Sequence, residues 1–191
     1  MSAAVTSRRF DSTDYTDTFK RLGAFPQIHG AIYQLIAEEL TGSSVLDLCC
    51  STGLLGERIR TGLKVKVCGV DRDVGALLAG EAAGVAMPVI AMPIVPAAMP
   101  GLIAWVKLHG VDTLVARRCF PELFGDDHFF GRLMAAALRG AGVREVFLQG
   151  RQPTPGATTT LPTVYREAEL FEGSYRVVRA VGQCIYMKAR D

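Results

Sequence analysis

The chain reads as an open α/β sheet of seven strands, mostly parallel, with helices on both faces and an antiparallel hairpin at its C-terminal end. Three observations predict this. Short apolar runs alternate with stretches of helical period along most of the 191 residues, the pattern of a parallel sheet covered on both faces. The first apolar run, Val45, Leu46 and Leu48, carries an acid, Asp47, and leads into a small-residue turn, Cys49 to Gly53, the layout of a ligand crevice at the carboxyl end of a parallel strand. The last two runs alternate in period two around Gly182-Gln183, which is a hairpin signature.

The elements follow in order. Ile28, Ile32, Leu35, Ile36 and Leu40 recur at helical spacing and predict a helix over 26–40, ended by Thr41-Gly42. Strands are expected at 44–48, 65–70 and, interrupted by Pro88, 87–92; helices at 54–60 and 74–83 lie between them. Pro93 to Pro100 reads as a loop and 101–109 as a short helix. A fourth strand covers 112–116. Asp126-Asp127 caps a helix through Arg139, ended by Gly140 and Gly142. A fifth strand at 144–148, a Pro/Gly/Thr-rich loop at 150–162, a helix at 163–171 and the strands 175–181 and 184–188 complete the chain.

Composition bounds the function. Apolar residues make up 49% and charged residues 21% of the chain, with a formal net charge of +2. These are values of an ordinary globular domain, with no basic stripe to argue for nucleic acid. Residues 1–25 read as a separate N-terminal segment or lid, and 26–191 as one domain. The low-charge stretch from Ala82 to Val106 is broken by Pro88, Pro93, Pro96 and Pro100, so it is no membrane helix. The five cysteines lack zinc spacing and sit mostly in apolar runs. They are expected to be reduced, in a cytoplasmic protein without a metal site.

Two readings fit the turn. Ser51-Thr52-Gly53-Leu54-Leu55-Gly56 has the spacing of a dinucleotide fingerprint with serine for its first glycine, and Asp71 stands where a ribose-binding acid belongs. Alternatively, 45–53 resembles the first motif of the class I S-adenosylmethionine (SAM)-dependent methyltransferases, an apolar strand and an acid before a Gly-x-Gly-x-Gly loop. Val67-Cys68-Gly69-Val70-Asp71 is similar to that family's second motif. Asp47 favours the second reading, because a carboxylate suits a cationic sulfonium donor and repels a pyrophosphate. Cys49 and Ser51 stand where the family has glycines. They keep close approach if their φ angles are negative and are strained if positive.

The resemblance covers about residues 26–190. It implies a Rossmann-like fold, SAM as cofactor and methyltransferase activity toward an unidentified acceptor, a small molecule or a protein side chain. It implies that Asp47 orients the donor's amino end, that Cys49, Ser51, Thr52 and Gly53 line it, and that Asp71, beside Arg72, holds the ribose. Near Met92 the family often has an adenine-binding acid. Here only backbone and apolar contact are on offer. The segment after strand four faces the acceptor in this family. It reads Ala116-Arg117-Arg118-Cys119-Phe120-Pro121-Glu122, without the motifs of base-amino or cytosine-C5 enzymes.

Arg117 or Arg118 is suited to clamp an acidic acceptor; the plain alternative is one structural ion pair and one exposed arginine. His29 is a candidate general base, set against the commoner surface histidine. Tyr15, Phe19 and Lys20 are candidates for a closing wall. His109 reads as a helix cap, His128 as surface, and Phe129, Phe130 and Leu133 as core. Two other functions stay open: a binding or interaction module of the same fold without turnover, and an NAD(P)-binding Rossmann protein.

Overall fold

The computed structural model describes residues 29–120, 128–151 and 163–191. Seven strands form one sheet: β1 (Ser44–Leu48), β2 (Lys66–Asp71), β3 (Val89–Ala91), β4 (Thr113–Arg117), β5 (Glu145–Gln149), β6 (Tyr175–Val181) and β7 (Cys184–Ala189). Among the described residues six α-helices accompany them: α1 (Gly30–Glu39), α2 (Leu54–Leu63), α3 (Val74–Ala82), α4 (Met99–Leu108), α5 (His128–Gly140) and α6 (Val164–Glu169). The strand order is β3-β2-β1-β4-β5-β7-β6. Strands β1 to β5 pair in parallel, and β7 is antiparallel to both β5 and β6. The hairpin thus folds back, so that its second strand, β7, lies inside the sheet and β6 forms the edge.

Alternation along the strands sends side chains to two cores. Val45, Val67, Val115, Phe147 and Tyr186 pack under α1, α2 and α3 with Ile32, Ile36, Leu55, Ile59 and Leu77. Leu46, Leu48, Leu114, Ala116, Val146 and Leu148 pack on the opposite side with Leu102 and Val106 of α4 and Met134 and Leu138 of α5. Helix α1 buries Ile32, Leu35 and Ile36, an i, i+3, i+4 stripe.

Several boundaries differ from the sequence expectation for local reasons. Helix α1 begins at Gly30, and 26–28 lie outside the described residues. Strand β3 is only Val89–Ala91. Pro88 accepts from Gly69 N–H (2.8 Å) but has no N–H to return, so regular pairing starts after it. The expected loop 93–100 is wrong in its second half. A 3₁₀ turn at Pro96–Ala98 leads into α4 at Met99, and Pro100 sits in the first turn, where a missing N–H costs nothing. Phe129 and Leu133 are corrected from core to surface. Helix α5 turns Phe130, Met134 and Leu138 inward, which leaves Phe129 78% exposed on the other face. The expected caps Asp126-Asp127 and most of the 150–162 loop lie outside the described residues.

Two carboxylates, Asp112 half-buried and Glu145 buried, stitch the amino edge of the sheet. Asp112 accepts from Ser43 N–H (2.7 Å) and Ser44 N–H (3.1 Å). Glu145 accepts from Thr41 N–H (3.0 Å), Gly42 N–H (3.0 Å), Thr41 Oγ1 (2.6 Å) and the Tyr186 hydroxyl (2.7 Å). Burial alone would raise the Glu145 pKa, but these donors hold it below the usual carboxylate value. The link matters for function because it fixes the C-terminal end of α1 against β4, β5 and β7, and so fixes where the helix's other end meets the carboxyl edge.

Glu145→Ala leaves several buried donors without partners and is expected to lower the unfolding free energy by about 3 kcal/mol in urea melts at neutral pH. A depressed folded-state pKa stabilises above the unfolded value of 4.5 and is lost as pH falls through the folded value. The difference between variant and native chain therefore shrinks in acid.

Candidate active site at the carboxyl edge

Beyond β1 the backbone turns sharply. Cys50 N–H donates to Val70 O (3.1 Å) and Gly53 N–H to Cys50 O (2.8 Å). Within the turn Cys49 has φ 56°, Ser51 φ 52° and Gly53 φ 72°. Of the two cases left open for Cys49 and Ser51, positive φ with strain is the one observed. Both adopt the left-handed conformation that a glycine loop uses, at a cost of about 1–2 kcal/mol each. Gly53 is required for a second reason: a Cβ there would meet Met87 Cε at 2.6 Å.

Two carboxylates hold the strained turn. Asp71 Oδ2 accepts from Ser51 N–H (2.7 Å), and its Oδ1 accepts from Asp73 N–H (2.9 Å). Asp47 Oδ2 accepts from Gly56 N–H in the first turn of α2 (3.0 Å). Asp71 is half-buried, but Asp47 is only 2% exposed. Burial pushes the Asp47 carboxyl up to about 7; Arg117 and the Gly56 N–H oppose this, and Asp71 adds to it.

The neighbouring strand adds a third strained residue. Of the four non-glycine residues with positive φ among the described residues, Cys49, Ser51 and Arg118 (φ 57°) lie at the carboxyl ends of the paired strands β1 and β4. Such strain persists only where surrounding structure imposes it, and it gathers at functional sites. Arg118 N–H donates to Gln149 O (2.6 Å), which ties the end of β4 to β5.

Arg117 is half-buried, on the face of β4 that also carries Val115, and its Nη1 is buried without a hydrogen-bond partner. Neither alternative for this pair, an ion pair or simple exposure, describes Arg117. His29 is corrected from a surface residue: it is 7% exposed at the start of α1. Burial first, then Arg117, Arg58 and Arg118, press its pKa down to about 3. The ring is therefore neutral at physiological pH and, with so low a pKa, a weak base.

The remaining expected residues divide. Met92 is half-buried against the core that contains α4, and Arg72 is exposed. Thr52 is buried, with its carbonyl packed on Gly80 of α3, so it meets the site through its backbone. Tyr15, Phe19 and Lys20 lie outside the described residues. Sequence reading missed Gln149 and Gln183. The one available signal was strand alternation, which puts Gln149 on the same face as Phe147. His109 caps α4 and His128 is exposed, as expected.

A cavity of about 700 Å³ opens elsewhere, at the amino edge, lined by Ser44, Arg60, Lys64, Lys66 and His109 among others. Lys64 and His109 cap the C-termini of α2 and α4. Basic groups there offset the carbonyl ends of those helices, so we assign the chemistry to the carboxyl edge rather than to this cavity.

By sequence, the chain matches no family profile and no curated protein. By structure it is similar to many solved proteins. A TehB-like SAM-dependent methyltransferase from Corynebacterium glutamicum superposes with TM-score 0.63 at 13% identity, over 94% of this chain and 98% of that one. Magnesium protoporphyrin IX methyltransferase from Synechocystis, solved with SAM bound, gives 0.58 at 12% identity, over 91% and 83%. The fold is that of the class I SAM-dependent methyltransferases. Strand order agrees: β7 runs antiparallel in the slot between β5 and β6, whereas the dinucleotide fold has six parallel strands in the order 3-2-1-4-5-6.

Each Asp71 oxygen accepts one backbone N–H, and a carboxylate has about four acceptor positions, so acceptor capacity remains at this edge.

Glycine at either Cys49 or Ser51 would take the left-handed conformation without steric cost. Cys49→Gly and Ser51→Gly are each expected to raise stability by about 0.5–1 kcal/mol, the relief of strain less the added chain entropy, and Ser51→Val to lower it. Calorimetric melting temperatures check the order. For Asp47, whose folded pKa of about 7 exceeds its unfolded 3.8, the stabilising contribution is full below 3.8 and lost as pH rises through about 7. Asp47→Asn should therefore gain on the native chain between about pH 4 and pH 7 in urea melts.

Proposed function

We propose that the protein binds SAM across the carboxyl ends of β1 and β2 and transfers its methyl group to an acceptor lying over β4 and β5. The observation that carries this reading is the turn at Cys49, Ser51 and Gly53. It keeps three left-handed residues, two of them not glycine, in the conformation of a glycine loop. Strain of this kind in a loop held by two acids is explained by close approach of a ligand to the backbone.

In this reading Asp71 takes the ribose hydroxyls with its spare acceptor positions, and Met92 supports the adenine through apolar contact. Asp47 works from beneath the turn: it fixes the start of α2 through Gly56 N–H and offers negative charge below the donor's cationic end. Bound there, the donor supplies a sulfonium-activated methyl whose C–S bond breaks as a bond to the acceptor's lone pair forms. The chain's task is then alignment, which by itself supplies much of the acceleration. Arg117, Arg118 and Gln149 are placed to position the acceptor.

A second reading is binding without turnover. The observation favouring it is His29, the expected base, which is buried and held neutral with a pKa near 3. Acceptors that need no strong base separate the two readings. Radiolabelled methyl transfer to thiols or amines supports the enzyme; donor binding without transfer to any acceptor class supports the module.

Calorimetry with S-adenosylhomocysteine and SAM tests the donor site. Asp71→Ala is expected to weaken both by about tenfold or more, the loss of two hydrogen bonds to a charged group. SAM binding should tighten as pH rises from 6 to 8 while Asp47 ionises, and Asp47→Asn should flatten that dependence. Absence of binding by either ligand, or tight binding of a nicotinamide dinucleotide instead, overturns the reading.

A further inference from the structure

Three of the buried side-chain atoms without a hydrogen-bond partner fall in one short stretch of the carboxyl edge: Arg117 Nη1, Gln149 Oε1 and Gln183 Oε1. Register explains why Arg117 and Gln149 meet, and why Gln183 lies at the same edge. Arg117 on β4 stands opposite Gln149 on β5, and Gln149 stands opposite Cys184 at the start of β7. Gln183 precedes Cys184 and accepts from Gly150 N–H (3.0 Å) through its carbonyl. Directly opposed residues share a face, and Val115, Phe147 and Cys184 show that this is the face covered by α1. The N-terminal end of α1 brings His29 to the same edge.

Buried polar atoms are almost always partnered, so a row of unpartnered ones asks for an explanation. Gln149 is 3% exposed, and no surface accident accounts for it. No ion pair involves Arg117 among the described residues. Arg117 acts on the Asp47 carboxylate, but burial keeps Asp47 only partly ionised near neutrality, so it is a part-time counter-charge. His29, under the influence of Arg117, Arg58 and Arg118, contributes no positive charge of its own. What remains is a guanidinium nitrogen inside the sheet edge with room in its bonding for one anionic oxygen, flanked by carboxamides that bond neutral polar atoms.

We propose that Arg117 and Gln149 form the acceptor subsite and select a small molecule that carries a carboxylate beside a hydrogen-bond donor. The inference rests on the donor reading above. It goes further by giving the acceptor a chemical class and by separating Arg117 from the donor site. A base in a nucleic acid offers no carboxylate, and a long protein segment does not reach a group this buried, so the small acidic acceptor is the one that fits.

The test uses the full-length chain saturated with S-adenosylhomocysteine and a fragment set in matched pairs, each carboxylic acid beside its primary amide, read by ligand-observed NMR. Acids are expected to bind about tenfold more tightly than their amides. In Arg117→Gln this preference should fall to near unity, while S-adenosylhomocysteine affinity, measured calorimetrically, stays within about twofold. Gln149→Leu keeps the acid preference but should weaken every fragment that carries a donor beside its acid. Equal binding of acids and amides overturns the proposal, as does a preference that survives in Arg117→Gln. An Arg117→Gln protein that loses S-adenosylhomocysteine about tenfold also overturns it, because Arg117 then belongs to the donor. If S-adenosylhomocysteine does not bind the native chain, the donor reading fails by itself, and the acid–amide comparison without it still reads the subsite.

Discussion

The structure of the site depends on one constraint, the left-handed path of the backbone between Cys49 and Gly53. A glycine loop adopts such a path without steric cost. Here Cys49 and Ser51 adopt it against their preference, and the opposing force is visible. Asp71 draws Ser51 N–H toward the end of β2, Asp47 draws Gly56 N–H down onto the end of β1, and Cys50 N–H is tied to Val70 O. Each hydrogen bond to a carboxylate contributes on the order of the strain in one residue. The turn is therefore held by its anchors rather than by its composition, and the two acids serve shape before they serve a ligand.

The same acids set the electrostatics. Asp47 is buried deeply enough that its charge is costly, so it sits between ionised and neutral near physiological pH. Beside it, Arg117 carries a permanent charge and makes no ion pair among the described residues, and His29 is kept neutral by burial and by the arginines. A core optimised for stability would place apolar groups in these positions. Their presence at the carboxyl edge, against a well-packed interior on either side, is the usual mark of a site whose stability has been traded for binding.

Legibility in the sequence varied with how local the governing physics was. The strands and most helices followed from period and punctuation, since Gly84, Gly142 and Gly182 fall just past the ends of elements, whereas Gly62, expected to stop α2, lies inside it. Asp47 and Asp71 stood out because an acid at the end of an apolar run is conspicuous. Phe129 and Leu133 were misread because hydrophobicity says nothing about which face of α5 meets the sheet. His29 was misread because its burial comes from the packing of α1 across β5 and β7, distant in sequence. No helix of the described residues is long and apolar enough to cross a membrane, in line with the prolines that interrupt the one low-charge stretch.

By itself the sequence determined the alternating architecture and the acid-bearing turn after β1. These depend on residues within one element or one turn. Only the tertiary structure decided that β7 inserts between β5 and β6, that Cys49 and Ser51 take the glycine conformation, and that Arg117 and Gln149 stand opposite each other with unpartnered side-chain atoms. Strand order, backbone angle and pairing across the sheet are set by contacts between segments far apart in the chain, and no local pattern of side chains encodes them.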